Sequence, residues 1–494
     1  MTASSVRYRF GDSASVGVLL GMSLRQAVPL VIGVLWLTLC LMLQVPLLGI
    51  AGPVVGAVVS FGRWRRAPLY EVAAPGIRLL WRRWRNQDRW TRTSLLAAGP
   101  GLDDDLPDAL VGLELMDISI PWPPGERQVG VVSDRRTGSL SMVVEVEGAG
   151  FPVASLSEQD SMVASWGAAI APLARAHCPV SRVTWQEWSH PVGVAGHREF
   201  LAGVTASSPH QAASDDYELL LIDQAPITVA HEVLVTLTVD LRRVRRRRGV
   251  DHRQVAIDAL TDEVRQFCSR LSASGFAADE PMSAAALSTA VRLRSDPLHF
   301  AHVQTFGRSL AAATGRGCVE WSPMAVQPDW FGVCVDGSFH RSFRVATWPM
   351  LPVAADWLGP LLTVDGVTRT VSVVLEPVPL SQASSDANRQ LTSIEADQMQ
   401  KERHGFRLTA RERRRHDDVE TRERELAEGH PVFRHVGLVT VTAESEDSLE
   451  EASARMEQAA AQSLLDLRPL GARQEEGWAA SLPLGRSVRQ GSWR

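Results

Sequence analysis

The chain has 494 residues, enough for two or three structural units with a sizeable core. Its net charge of −5 excludes a strongly basic or acidic protein matched to a polyelectrolyte partner. Five scattered cysteines (Cys40, Cys178, Cys268, Cys318 and Cys334) form no CxxC pair. They fit neither a disulfide framework nor a zinc site, and point to small core residues in a reducing compartment.

From Ala27 to Gly62 no residue is charged. That run, about 36 residues, would make about 54 Å of helix against a hydrocarbon core of about 30 Å. The sequence therefore predicts two transmembrane passes, with the turn at Gln44-Val45-Pro46 and Gly49, Gly52 and Pro53 close behind. Arg7, Arg9 and Arg25 precede the run, and nine arginines against Glu71 and Asp88 follow it. The positive-inside rule then places both termini and the large domain on the cytoplasmic side of the plasma membrane, as a multi-pass protein. Trp64, Trp81, Trp84 and Trp90 interleave with Arg63, Arg65, Arg66, Arg82, Arg83 and Arg85. This spacing predicts an amphipathic segment on anionic membrane lipids. Basic-plus-aromatic spacing also suits nucleic acid, but the neighbouring apolar run favours lipid.

Beyond residue 95 strands and helices mix. Residues 110–120 alternate as a strand, and 127–150 read as a hairpin turning at Asp134 to Gly138. Residues 157–178 have helical period, with Ser157 and Asp160 as the cap. "VSRVTWQEWSH" alternates as a strand, a helix over about 208–223 follows, and "PITVAHEVLVTLTVDLRRV" is a long strand. Helices are predicted at about 252–274 and over "MSAAALSTAVRLRS". Strands follow in "GCVEWSPMAV", "SFHRSFRVATWP" and 367–380, then a long polar helix at about 382–428. The chain closes with strand 435–443, helix 445–464 and strand 466–476. The expected class is α+β, split β-α-β units of ferredoxin-like character, with no internal repeat at a fixed period. The expected organisation is a membrane hairpin and flank at 1–95, a first lobe at 96–300 and a second at 301–494.

Several chemistries are excluded by residue type. The chain has a single lysine, Lys401, followed by Glu402. A phosphate-binding P-loop needs GxxxxGK[ST], so no Walker A site exists, and Schiff-base chemistry goes with it. There is no HExxH, GxSxG or strand-borne GxGxxG. His299 and His302 lack a carboxylate or cysteine partner, and Asp103 to Asp105 read as a solvated linker. No catalytic, metal or cofactor residue is assigned. The densest charge feature is Arg242 to Arg248, with Arg245, Arg246, Arg247 and Arg248 as contacts for lipid or DNA phosphate; a solvated strand end is the plainer reading.

"LLGMSLRQAVPLVIG" is similar to the start of PrgI-like proteins of conjugative transfer systems. The segment from "RERELAEGHPVF" through Gly477-Trp478 to Leu482-Pro483-Leu484-Gly485 resembles the N-terminal domain of conjugation and type IV secretion ATPases of the CagE/TrbE kind, without their motor. The layout looks like an actinobacterial family of conjugation-associated proteins. The resemblance implies a non-enzymatic docking component that recruits a separate P-loop ATPase and self-associates. A membrane component of a type VII-like system is the alternative, then a membrane-bound enzyme with an unrecognised site, and, last, direct DNA contact through the arginine run.

Overall fold

Helix α1 (Leu24–Met42) and helix α2 (Pro46–Phe61) fold back on each other at Gln44. They belong to a computed structural model that describes residues 24–64, 67–92, 106–191, 229–298, 321–403 and 410–488, less 149, 247 and 279, with Tyr8, Phe10, Leu201 and 216–221. Glycine lets the two backbones touch. A Cβ on Gly33 would stand 2.5 Å from the Gly52 carbonyl oxygen, and one on Gly56 2.6 Å from that of Pro29. Trp36 Nε1 donates to Leu48 O at 3.1 Å and Gln26 Nε2 to Ser60 O at 3.2 Å, tying the hairpin at both ends. Gly33→Val is therefore expected to pry the helices apart, since neither backbone can retreat. Hydrogen-exchange mass spectrometry should then find faster exchange over 24–61 and unchanged exchange in the sheet; unchanged exchange in the hairpin would refute the packing.

The hairpin is not the two-pass anchor expected from the uncharged run. No helix of the described residues is long and apolar enough to cross a membrane. The reason is length. Helix α1 spends its first turn on Leu24-Arg25-Gln26, and α2 ends after 16 residues. Each apolar stretch then spans about 24 Å, against about 30 Å of hydrocarbon. The multi-pass plasma-membrane placement falls with it.

A two-residue ribbon, Arg63–Trp64 with Ala67–Pro68, leads into α3 (Leu69–Trp84). This helix is amphipathic, as expected, but one apolar side packs on the protein itself. Val72, Gly76 and Leu79 are buried, and a Cβ on Gly76 would lie 2.5 Å from the Trp330 ring. Trp64 stands edge-on to Trp330 and Phe331, and Glu71 accepts from Arg344 at 2.7 Å.

Strands with alternating apolar residues build one antiparallel sheet of twelve strands. They are β1 (Trp90–Thr91), β2 (Leu113–Trp122), β3 (Gly125–Asp134), β4 (Ser139–Glu145), β5 (Val180–Pro191), β6 (Val229–Asp240), β7 (Ala325–Pro328), β8 (Val333–Val335), β9 (Ser338–Thr347), β10 (Thr368–Val378), β11 (Val432–Ala443) and β12 (Asp466–Pro469). The order is β1-β7-β8-β9-β11-β10-β5-β6-β4-β3-β2, with β12 also on β9. One face carries α4 (Leu156–Ile170) and α5 (His252–Ala273) over Leu140, Met142, Val235 and Leu237. Beside them lies α9 (Glu446–Gln462), over Val371, Val439 and Val441. The other face carries α6 (Ala284–Ser295) and α10 (Gln474–Ser481), which share a core with Leu110, Val132, Val143 and Leu234.

The order of strands contains a duplication. In one half the sheet runs β2-β3-β4-β6-β5, three strands in chain order and then the next two reversed; β7-β8-β9-β11-β10 repeat that path in the other. The halves join through equivalent strands, β5 against β10, with Gln186 opposite Ser372. Residues follow suit. His231, Leu234, Val235, Thr236 and Thr238 of β6 recur as His435, Leu438, Val439, Thr440 and Thr442 of β11. Each half ends with a segment that crosses to the other: Arg292 of α6 donates to Asp336 at 2.8 Å, and Arg486 donates to Asp134 at 3.1 Å. His340, buried on β9, bonds the Ser295 carbonyl at 2.8 Å, and burial lowers its pKa to about 4. The repeat has no fixed period because the inserts differ. Between β10 and β11 stand α7 (Leu380–Arg403) and α8 (Ala410–Ala427), whose base packs through Ala383, Ala387 and Leu426.

The expected fold is corrected accordingly. In place of a transmembrane hairpin followed by ferredoxin-like units, mixed helices flank one large antiparallel sheet, continuous through the β5–β10 pair. The polar stretch expected as one long helix holds two, α7 and α8. The cap of α4 is Ser155 with Glu158, each side chain taking the other's backbone N–H, rather than Ser157 with Asp160. Most of the helix expected at 208–223 lies outside the described residues, which retain 216–221 as helix.

Candidate functional site

Where α3 crosses the sheet it roofs a cavity of about 760 Å³. Its walls come from both halves: Arg78 and Arg82 of α3, Asp108, Asp134 and Arg136 around the β3–β4 turn, Arg182 of β5, Glu376 of β10, Arg473, Glu475 and Glu476 at the start of α10, and Arg486. Six arginines thus face five carboxylates. Such a wall folds only if the charges are mostly paired, because a lone buried charge is costly.

Most are. Arg82 reaches Glu475 at 3.2 Å and Asp108 at 3.3 Å. Arg78 reaches Asp108 at 3.1 Å and Arg473 reaches Glu476 at 2.7 Å. Glu475 also accepts from the Ala109 amide at 3.0 Å; burial still pushes its carboxyl above the usual range, against the pull of Arg82. Arg486 clasps both oxygens of Asp134, at 3.1 and 3.2 Å, and donates to Val111 O at 2.6 Å. This fork is positioned by Gly485, whose φ of +70° suits glycine and whose Cβ would meet Ser141 Oγ at 2.2 Å. The Leu-Pro-Leu-Gly segment is therefore a packing element, with its own Leu482 and Leu484 buried.

Arg182 is different. Its Nη1 donates to the Gly485 carbonyl at 2.6 Å, but the nearest carboxylate, Glu376, is 3.8 Å from Nε, beyond hydrogen-bond distance. Nε is buried with no partner, and burial lowers the guanidinium's pKa. Arg136 at the rim donates to the Asp108 carbonyl at 3.0 Å, and no ion pair to a carboxylate is found for it among the described residues.

The arginines singled out from sequence scatter over several environments. Arg82 turns into the cavity. Arg83 pairs with Asp329 and with Asp88 at 3.9 Å, and Arg85 lies 3.8 Å over the Trp81 ring. Arg63 is exposed on the ribbon; Arg65, Arg66 and Arg247 lie outside the described residues. Arg245, Arg246 and Arg248 are exposed between β6 and α5, while Arg242 is held by Asp240 at 3.1 Å. His299, His302, Cys318 and Asp103 to Asp105 also lie outside the described residues. No family model and no curated protein matches this chain.

A second polar cluster looks catalytic at first sight. His231 Nδ1 is 2.6 Å from Glu187 Oε1 and 3.1 Å from Ser189 Oγ. A nucleophile relay needs base and orienter on opposite ring nitrogens. Here both meet the same nitrogen, so the cluster is not arranged as a triad.

Sequence reasoning named Arg82 but missed Arg182, Asp134, Glu475 and Arg486. Arg182 carried one signal, the one arginine within strand β5. Its meaning depends on Gly485, 303 residues away in the chain.

Proposed function

We propose that the chain is a non-enzymatic docking component that engages a separate P-loop ATPase, in an apparatus of the type IV secretion or conjugation kind. The observation that carries this reading is the α1–α2 hairpin. Val31, Ile32, Leu35, Leu39, Leu47 and Val58 are all exposed along it, at 50 to 87 % of their full area. Contiguous apolar surface of this kind marks a contact site. Two features support the choice of partner. The C-terminal segment resembles the front domain of secretion ATPases, and the only lysine, Lys401, sits outside any P-loop motif. Nucleotide hydrolysis then falls to another chain.

The test is co-purification of the tagged full chain after in-cell crosslinking. A P-loop ATPase is expected in the eluate, and replacing Val31, Leu35, Leu39 and Val58 together by serine should lower its recovery about tenfold or more. An eluate without such an ATPase, or equal recovery with the serine variant, sinks the reading.

A further inference from the structure

We propose that the cavity beneath α3 binds a small organic phosphate, with Arg182 in its wall and Arg136 at its rim as the oxyanion contacts. The case begins with donor supply. A guanidinium has five N–H donors and no acceptor. Arg182 spends Nη1 on Gly485 O, while its Nε is enclosed and has no acceptor. Enclosed guanidinium nitrogens without an acceptor also occur at Arg265, Arg270 and Arg369, but among the residues lining this cavity Arg182 alone has one. Glu376, at 3.8 Å, supplies attraction but no hydrogen bond. Nε thus faces Glu376 inside the wall, and Nη2, for which no acceptor is found among the described residues, is the donor left to an incoming oxyanion.

Charge and shape point the same way. Four of the six arginines in the wall have a carboxylate within 3.3 Å: Arg78, Arg82, Arg473 and Arg486. Arg136 and Arg182 do not. The six arginines of the lining outnumber its five carboxylates. Two guanidinium groups from different elements, the β3–β4 turn and β5, suit a tetrahedral oxyanion, which accepts from several directions; a planar carboxylate is satisfied by a single fork. The volume, about 760 Å³, far exceeds inorganic phosphate and falls in the range of small-molecule sites. The phosphate is therefore the anchor of a larger molecule. This proposal is independent of the docking reading, which concerns the hairpin.

Titration calorimetry on the full chain at constant ionic strength tests it, with ATP as the organic phosphate, inorganic phosphate as the bare anion and sodium chloride as control. Saturable binding of ATP is expected, tighter than that of inorganic phosphate. Arg136→Gln, at an exposed position that leaves the fold intact, should weaken it about tenfold, the loss of one charged contact. Arg182→Lys keeps the charge but loses the fork, and should weaken it by a similar factor. Absence of saturable binding by either anion overturns the proposal. So does binding that both substitutions leave unchanged, and so does inorganic phosphate binding with no gain from the organic group.

Discussion

Truncation of Trp478 to alanine is expected to cost the folded state about 3–5 kcal/mol. The ring is completely buried on α10, in the core that also holds Leu110, Leu287, Val291, Val326 and Val333. These neighbours come from both halves of the chain, so a cavity here loosens the joint as well as one helix. Relaxation is limited: Gly477, next to it, already sits so close to the sheet that a Cβ would stand 2.4 Å from Ser342 Cβ. The helix cannot sink further to fill the void. Urea denaturation is the measurement, with a lower midpoint and an unchanged slope as the expected pattern. Val153→Ala, at a residue 90 % exposed, is the control and should move nothing. A loss under 1 kcal/mol for Trp478→Ala would mean that the joint does not rest on this core.

Arg292→Met is the second large effect, about 3 kcal/mol, at the lower end of what breaking a buried pair costs. Arg292 and Asp336 are only 3 and 10 % exposed, and their contact is 2.8 Å. Methionine fills much of the volume but leaves Asp336 without its counter-charge. Asp336 keeps two other donors, the amides of Met324 and Ala325 at 2.7 and 2.8 Å, and these hold the cost down. The Ser322 carbonyl also loses its donor. Adding Asp336→Asn to Arg292→Met should restore part of the loss, since the orphaned charge is gone. A double-mutant cycle in the same denaturation assay checks this. If the two single losses simply add, the pair is not an energetic unit, and the crossing segments do not hold the halves together through charge.

Individual elements were legible before the fold was known. Alternation in "VSRVTWQEWSH" and "AHEVLVTLTVD" placed β5 and β6, and the Asp134–Gly138 turn placed the β3–β4 hairpin. Helical period placed α5 within a residue at its C-terminal end. These are local properties: a strand's period of two and a helix's of 3.6 depend only on which face meets a core. The membrane reading failed for a related reason. An uncharged run says that water is avoided, but not what replaces it; helix length decides whether lipid can. The repeat escaped notice because β6 and β11 resemble each other while the segments between equivalent strands differ in length, which blurs any fixed spacing.

Most of the candidate site was not legible. Arg182 meets the Gly485 carbonyl, Glu475 meets Arg82, and Arg486 meets Asp134, each across hundreds of residues. Alternation tells which face of the sheet a side chain takes, not which strand or helix stands opposite it. What the amino-acid order determined by itself is local: where strands and helices begin, which of their sides are apolar, and that no P-loop lysine exists. The tertiary structure alone decided that equivalent strands β5 and β10 pair, that α3 folds onto the protein, and that six arginines gather around one cavity. The reason is physical. Periodicity is written by neighbours in sequence, whereas charge pairing and cavity shape are set by long-range contacts that only the closed sheet brings within a few ångströms.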